Sequence, residues 1–195
     1  GLDVVGYWWP VSPAGWRPPD ALVAFLAAGP PPVYVGFGSM AQPSGRLDAL
    51  VGGALRLAGV RGVVQADSAA SGPARHPDDH LLVIDEAPHD WLFPRMAALV
   101  HHAGCGTTAA GLRAGVPAVP VPMLADQPFW AARLVALGVA PEAIPLRRLT
   151  EQRLAAAIRA AVTEPAFARR ARALGARLSG EDGAGAVVAA LARLG

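Results

Sequence analysis

The densest chemistry in the chain lies in eight residues, His101-His102-Ala103-Gly104-Cys105-Gly106-Thr107-Thr108. An apolar run ends in two imidazoles, and small residues then turn the chain into what reads as a helix. Glycines at such a turn let backbone N–H groups come close to a ligand, and the first N–H groups of a helix lack intrahelical partners. With the positive end of the helix dipole beside them, those groups suit an anion, phosphate above all. Downstream stand Gly115-Val116-Pro117 and then Asp126-Gln127. A carboxylate beside an amide offers acceptors and donors suited to adjacent sugar hydroxyls. The same pair equally fits a plain helix start, with Asp126 as cap and Pro128 in the first turn.

Other groups are weighed against this turn. His101 and His102 sit side by side on a strand end, so they point to opposite faces and cannot serve one metal ion; beside the turn, one of them becomes a phosphate donor. Gly104-Cys105-Gly106-Thr107-Thr108-Ala109 also satisfies a dinucleotide fingerprint, with Asp126 at the distance of its ribose acid. An NAD-dependent oxidoreductase is therefore one alternative. Against it, that fingerprint normally opens the first βαβ unit, whereas here it follows a fourth strand, and only about ten residues separate it from the next strand. Asp85 and Glu86 diverge as strand neighbours and cannot flank one glycosidic bond. Cys105 has no Asp or Asn partner near it and reads as a compact residue in a crowded turn. No Asp-x-Asp motif occurs, so no metal is expected.

The elements that must position these groups alternate along the chain. Apolar strands are predicted at 33–37, 61–65, 81–84, 98–101 and 118–121. Between the first two, Leu47, Leu50, Val51, Ala54 and Leu55 form a helical stripe that Ser44 would cap. Such alternation implies an α/β fold, a doubly wound, Rossmann-like parallel sheet of about six strands with helices on both faces. Pro117, Pro120 and Pro122 make the last strand short or an edge. After Thr150 come helices, one with Leu154, Ile158 and Val162 on a face, another with Val187, Val188, Leu191 and Leu194. Ligands of such sheets bind outside the carboxyl ends of the strands, where Gly38-Ser39, Asp85 to His89, His102 to Thr107 and Asp126-Gln127 all fall.

Composition narrows the class. The 195 residues are 53% apolar and 16% charged, which suits one packed globule rather than a disordered chain. No apolar run approaches the roughly 20 residues of a membrane span, and the Gly1-Leu2-Asp3-Val4 start lacks a basic signal region. A single Cys105 fits a reducing compartment, so a cytoplasmic location is expected. Seventeen basic against 15 acidic residues, without interleaved aromatics, gives no support to nucleic-acid binding. Residues 1–32, with Trp8, Trp9, Trp16 and many prolines, read as a connecting segment, and 33–195 as the binding domain.

At this point the chain resembles the C-terminal, donor-binding half of a GT-B glycosyltransferase of family 1, in its bacterial antibiotic-tailoring and sterol-glucosyltransferase-like branch. The likeness runs through Gly6-Tyr7-Trp8, Pro31 to Met40, Pro88 to Pro94, His102 to Gln127 and Ala136 to Ala140. It implies that residues 1–32 are an interdomain linker and that the ligand is a nucleotide-diphospho-sugar, UDP- or dTDP-linked, used as co-substrate without a cofactor. By the resemblance His102 contacts the donor diphosphate. Gly104, Gly106, Thr107 and Thr108 cradle it, and Ser39 closes the phosphate site. Asp126 and Gln127 hold the sugar, and Ala87, Pro88 and His89 meet the base. Plant members begin this motif with Trp and bind ribose with Glu; Glu86 and Ala110 stand here instead.

The implied chemistry is inverting transfer to a hydroxyl of a lipophilic or natural-product acceptor. The general base and acceptor site would belong to an N-terminal domain, so no catalytic residue is expected in this chain. A face that meets such a domain invites self-association. A sugar-nucleotide binding module, or an epimerase-like enzyme using the same site, is the other alternative.

Overall fold

In a computed structural model of the chain, residues 3–38, 45–66 and 75–193 are described. Ser39, Ser44 and Leu194 lie outside them. The sheet is built from β1 (Val33–Gly36), β2 (Gly62–Gln65), β3 (Arg75–Asp78), β4 (Leu81–Ile84), β5 (Ala98–His101) and β6 (Ala118–Pro120). Its order is β3-β4-β2-β1-β5-β6. All neighbours pair in parallel except β3, which runs antiparallel to β4 at one edge. The five parallel strands coincide with the five predicted apolar runs. β6, with Pro120, is a three-residue strand at the other edge, where a missing backbone donor is tolerated.

The connections explain where a ligand can sit. From β1 the chain moves outward to β2 and β4, then returns past β1 to place β5 and β6 on the other side. The direction of winding therefore reverses between β1 and β5, whose ends meet in the pair Gly36 and His101. At such a reversal the loops part and leave a crevice at the carboxyl ends of the strands.

Side-chain alternation divides the core. Val33, Val35 and Val100 face α2 (Gly45–Ala58) and α6 (Glu151–Thr163), packing with Val51, Leu55, Leu154 and Ile158. Tyr34 and Leu99 face the other way, toward Leu22, Phe25, Leu92 and Phe93. Leu22 and Phe25 belong to α1 (Asp20–Ala27), a helix inside the stretch read as a connecting segment. The Arg61 guanidinium covers the Phe25 ring at 4.0 Å and donates to the Phe25 and Pro30 carbonyls. Upstream, Trp16 meets Trp91 edge-on at 5.3 Å and Trp9 Nε1 donates to the Glu181 carbonyl at 2.9 Å.

Two helical stripes differ from expectation. In α6, Leu154 and Ile158 are buried while Val162, in the last turn of the helix, lies at the solvent margin. In α8 (Gly183–Ala192), Val188 and Leu191 are 66% and 62% exposed. Among the described residues no helix is long and apolar enough to cross a membrane.

Candidate functional site

The turn after β5 is tied from beneath. His101 is buried, and its Nδ1 accepts the backbone N–H of Ala103 at 3.1 Å. Ala103 has φ 63°, a left-handed conformation that costs an alanine about 1–2 kcal/mol. Burial, and after it the neighbouring His102 and His89, lower the His101 pKa to about 3. The ring is therefore neutral and keeps an unprotonated nitrogen as acceptor.

His102 points the other way, into the β1/β5 crevice. A Cβ built on Gly38 would stand 2.9 Å from its Cε1, and one on Gly104 only 2.5 Å from its Nε2. The imidazole is thus seated between two glycines, one of which, Gly38, has φ +69°. Burial lowers the His102 pKa, while the Gly36 carbonyl and the Asp126 charge oppose the change. Nδ1 is buried and meets no partner in hydrogen-bond geometry among the described residues.

Gly104 precedes α4 (Cys105–Ala114) and offers no capping side chain. The first intrahelical bond runs from Thr108 N–H to the Gly104 carbonyl at 2.9 Å, so helix geometry leaves the N–H groups of Cys105, Gly106 and Thr107 unclaimed by the helix. No acidic residue stands in that first turn to meet the dipole. Cys105 and Gly106 are exposed and Thr107 is partly so. Thr108 differs: it is buried, and its Oγ1 has no partner among the described residues. The Tyr7 hydroxyl hangs over this end, 3.6 Å from where a Gly106 Cβ would lie.

A second strained turn follows β6. Ala125 has φ 55°, and with Ala103 it completes the described non-glycine residues of positive φ. Both precede or adjoin predicted ligand contacts, where such strain tends to gather. Gln127, 3% exposed, accepts the N–H groups of Met123 and Leu124 at 2.8 and 3.1 Å through Oε1. Its carbonyl oxygen is committed to the loop, and the amide N–H₂ is what a ligand can meet. Asp126 is exposed and does not cap α5 (Gln127–Ala136); its Oδ2 instead accepts from Trp130 Nε1 at 2.7 Å.

Ala87, Pro88 and His89 lead from β4 into α3 (His89–Leu92). The His89 ring stacks on Phe93 at 4.2 Å, and burial lowers its pKa against the opposing charges of Glu86 and Asp90. These three residues line a cavity of about 980 Å³ that Trp9, Trp16 and Arg113 also border. Arg113 lies over the Trp9 ring at 4.3 Å. Arg113 is a polar participant that sequence reading missed, whereas Trp130, which with Trp91 and Phe93 reads from sequence as a base-stacking or core residue, instead donates to Asp126. Arg113 follows Ala110 by three positions and so shares its face of α4, a spacing visible in the sequence.

His102, which stands two residues before the Gly104 cap of α4, lies within electrostatic reach of both Asp126 and His89, and all follow the carboxyl ends of strands. Thr108 is turned beneath the helix, and Ser39 falls outside the described residues. Among the described residues no three His, Cys, Asp or Glu side chains converge to hold a metal ion.

The chain is similar in sequence and in fold to known proteins. The family profile described as "Erythromycin biosynthesis protein CIII-like, C-terminal domain" matches residues 61–194. The chain is 46% identical to the O-mycaminosyltylonolide 6-deoxyallosyltransferase of Streptomyces fradiae, over 92% of the chain and 42% of that protein. It is 40% identical to a sterol 3-beta-glucosyltransferase of Arabidopsis thaliana, over 96% of the chain and 30% of that protein. It spans less than half the length of these curated relatives. In fold it matches the glycotransferase of kitacinnamycin, with TM-score 0.77, 23% identity, and coverage of 97% of this chain and 48% of that one.

Proposed function

The chain belongs to the erythromycin biosynthesis protein CIII-like C-terminal domain family, and on that footing we propose that it binds the nucleotide-diphospho-sugar donor of an inverting glycosyltransferase. The observation that carries this reading is the meeting of His102 with the uncapped start of α4 in the β1/β5 crevice. Unclaimed N–H groups, a helix dipole without a neutralising acid and an imidazole N–H together suit a diphosphate. Asp126 and the Gln127 amide then face the sugar, and the cavity beside Ala87, Pro88 and His89 takes the base. Residues 33–195 are the donor domain in this reading, and 1–32 lead into it.

The reaction follows from that placement. An acceptor hydroxyl attacks the anomeric carbon, its proton passes to a base, and the nucleoside diphosphate leaves with the electron pair of the broken C–O bond. This chain's share is to receive the charge that develops on the leaving diphosphate, and prearranged donors at developing charge commonly supply large catalytic terms. The base and the acceptor pocket belong to an N-terminal domain, and the reaction is placed in the cytoplasm.

Calorimetry of the chain with UDP, dTDP and GDP tests the proposal. One of them binds, and His102→Ala weakens it by about tenfold, the worth of one hydrogen bond to a charged group. A folded sample that binds none of the three overturns the donor-site reading. Tight NADH binding in its place would assign the glycine turn to a dinucleotide.

A further inference from the structure

Asp126 stands at the N-cap of α5, where an aspartate ordinarily accepts from the backbone N–H two or three residues on. It makes no such bond. Its backbone is helical, φ −81° and ψ −9°, and the carboxylate turns instead to the side chain four residues along, where Oδ2 meets Trp130 Nε1 at 2.7 Å. The indole is itself set by its neighbour, since the Phe129 ring meets it edge-on at 5.0 Å. Oδ1 has no partner among the described residues. The adjoining Gln127 is equally constrained, with Oε1 given to Met123 and Leu124.

From this geometry we propose that Trp130 is a positioning residue of the donor-sugar subsite, holding Asp126 so that Oδ1 alone is presented to a sugar hydroxyl. The inference rests on the reading of Asp126 as a sugar contact. It deepens that reading in a definite way. A free carboxylate rotates about its terminal bond and can accept from two vicinal hydroxyls at once. With Oδ2 tied to the indole, rotation of the carboxylate is restricted, Oδ1 is its oxygen without a partner among the described residues, and the Gln127 amide adds N–H₂ donors beside it. The subsite is thereby set to one orientation toward a sugar hydroxyl. Trp130 narrows the set of hexoses it distinguishes, and it does so without touching the nucleotide.

That separation supplies the test. Calorimetry compares UDP with UDP-glucose, and dTDP with dTDP-glucose, on the parent chain, Trp130→Phe, Asp126→Asn and the double variant. Nucleotide affinity stays within about twofold in Trp130→Phe, whose side chain does not meet the nucleoside diphosphate, and each variant's sugar increment is taken against its own affinity for the bare nucleotide, because the Asp126 charge also reaches His102. The extra affinity conferred by the sugar falls about tenfold in each single variant, in line with loss of one hydrogen bond at a charged group, and no further in the double. Trp130→Phe keeping the full sugar increment while Asp126→Asn loses it overturns the role of Trp130 and leaves the sugar contact standing. Asp126→Asn keeping the increment, or a parent that has none, overturns the reading of Asp126 and the inference with it. Circular dichroism verifies folding. Should Trp130→Phe fail to fold, benzothienylalanine at position 130 replaces the indole N–H by sulfur within the same outline, and the same comparison decides.

Discussion

The Ala103 backbone N–H donates to His101 Nδ1 across 3.1 Å, and that bond holds a left-handed alanine directly between the strand end and the start of α4. His101 thereby shapes the turn from the buried side while His102 occupies the crevice on the other. The two adjacent imidazoles thus face opposite sides of the turn, one buried and bonded to it and one seated between Gly38 and Gly104.

Replacing His101 by Leu removes the acceptor and strands a buried N–H, which costs about 1–3 kcal/mol. Thermal unfolding then begins several degrees lower, as about 1 kcal/mol moves the midpoint by roughly 2–4 °C in a chain of this size. Ala103→Gly acts oppositely: it relieves the positive φ and raises the midpoint. A destabilised Ala103→Gly variant would mean that the turn is not strained.

The same ring makes stability depend on pH. In the unfolded chain His101 titrates near the usual 6.5, whereas in the fold its pKa is near 3, so the unfolded state binds more protons between these values. The contribution is complete above pH 6.5 and is lost as pH falls toward 3. Burial lowers His102 and His89 as well, in the same direction. Urea unfolding followed from pH 7 to pH 4 should show falling stability, at about 1.4 kcal/mol per pH unit for each proton taken up. His101→Asn flattens that slope; an unchanged slope assigns the effect to other groups.

The glycines around His102 make a separate prediction. A Cβ at Gly104 would come within 2.5 Å of Nε2, so Gly104→Ala must displace the imidazole from the crevice. Its nucleotide affinity drops by about tenfold, as for His102→Ala, and the double variant is little worse than either single one. Calorimetry with the nucleotide that binds the parent checks this. Additive losses would show that Gly104 acts through its own backbone instead.

Much of this arrangement was legible in the sequence for a physical reason. Central parallel strands are buried on both faces, so Val33-Tyr34-Val35 and Ala98-Leu99-Val100 read as unbroken apolar runs. The antiparallel edge strand was not legible, since Arg75-His76-Pro77-Asp78 is polar and is a strand only through its pairing with β4. Helix α1 was obscured by the surrounding prolines, although Leu22, Phe25 and Leu26 stand at helical spacing. Alternation put His101 and His102 on opposite faces but carried no information about which one lies under α4. Likewise Asp126 and Trp130 are four apart on a helix, yet that spacing does not say that the carboxylate turns from the cap to the indole.

Gln127 ties its loop through Oε1, and under the proposed function its amide N–H₂ would meet the sugar, so the two roles can be separated within one side chain. Gln127→Leu leaves the N–H groups of Met123 and Leu124 without their acceptor and should destabilise the chain by about 1–3 kcal/mol. Gln127→Glu keeps an oxygen where those groups need it, and its midpoint stays close to that of the parent. The sugar increment nevertheless falls, because the amide N–H₂ is gone and a second negative charge stands beside Asp126. Thermal melts and calorimetry on the two variants check both halves; a Glu variant with an undiminished increment would confine Gln127 to holding the loop.

The exposed stripe on α8 bears on association rather than on folding. Val188 and Leu191 lie largely in solvent, so Val188→Lys with Leu191→Glu should leave the unfolding midpoint nearly unchanged, surface substitutions usually costing within about 0.5 kcal/mol each. Apolar surface of this kind drives contacts when no partner domain covers it. Sedimentation velocity over a concentration series should show the parent chain associating and the double variant remaining monomeric. Equal sedimentation of the two at every concentration would rule out this stripe as the contact, and a large fall in the midpoint would show that α8 packs more deeply than its exposure indicates.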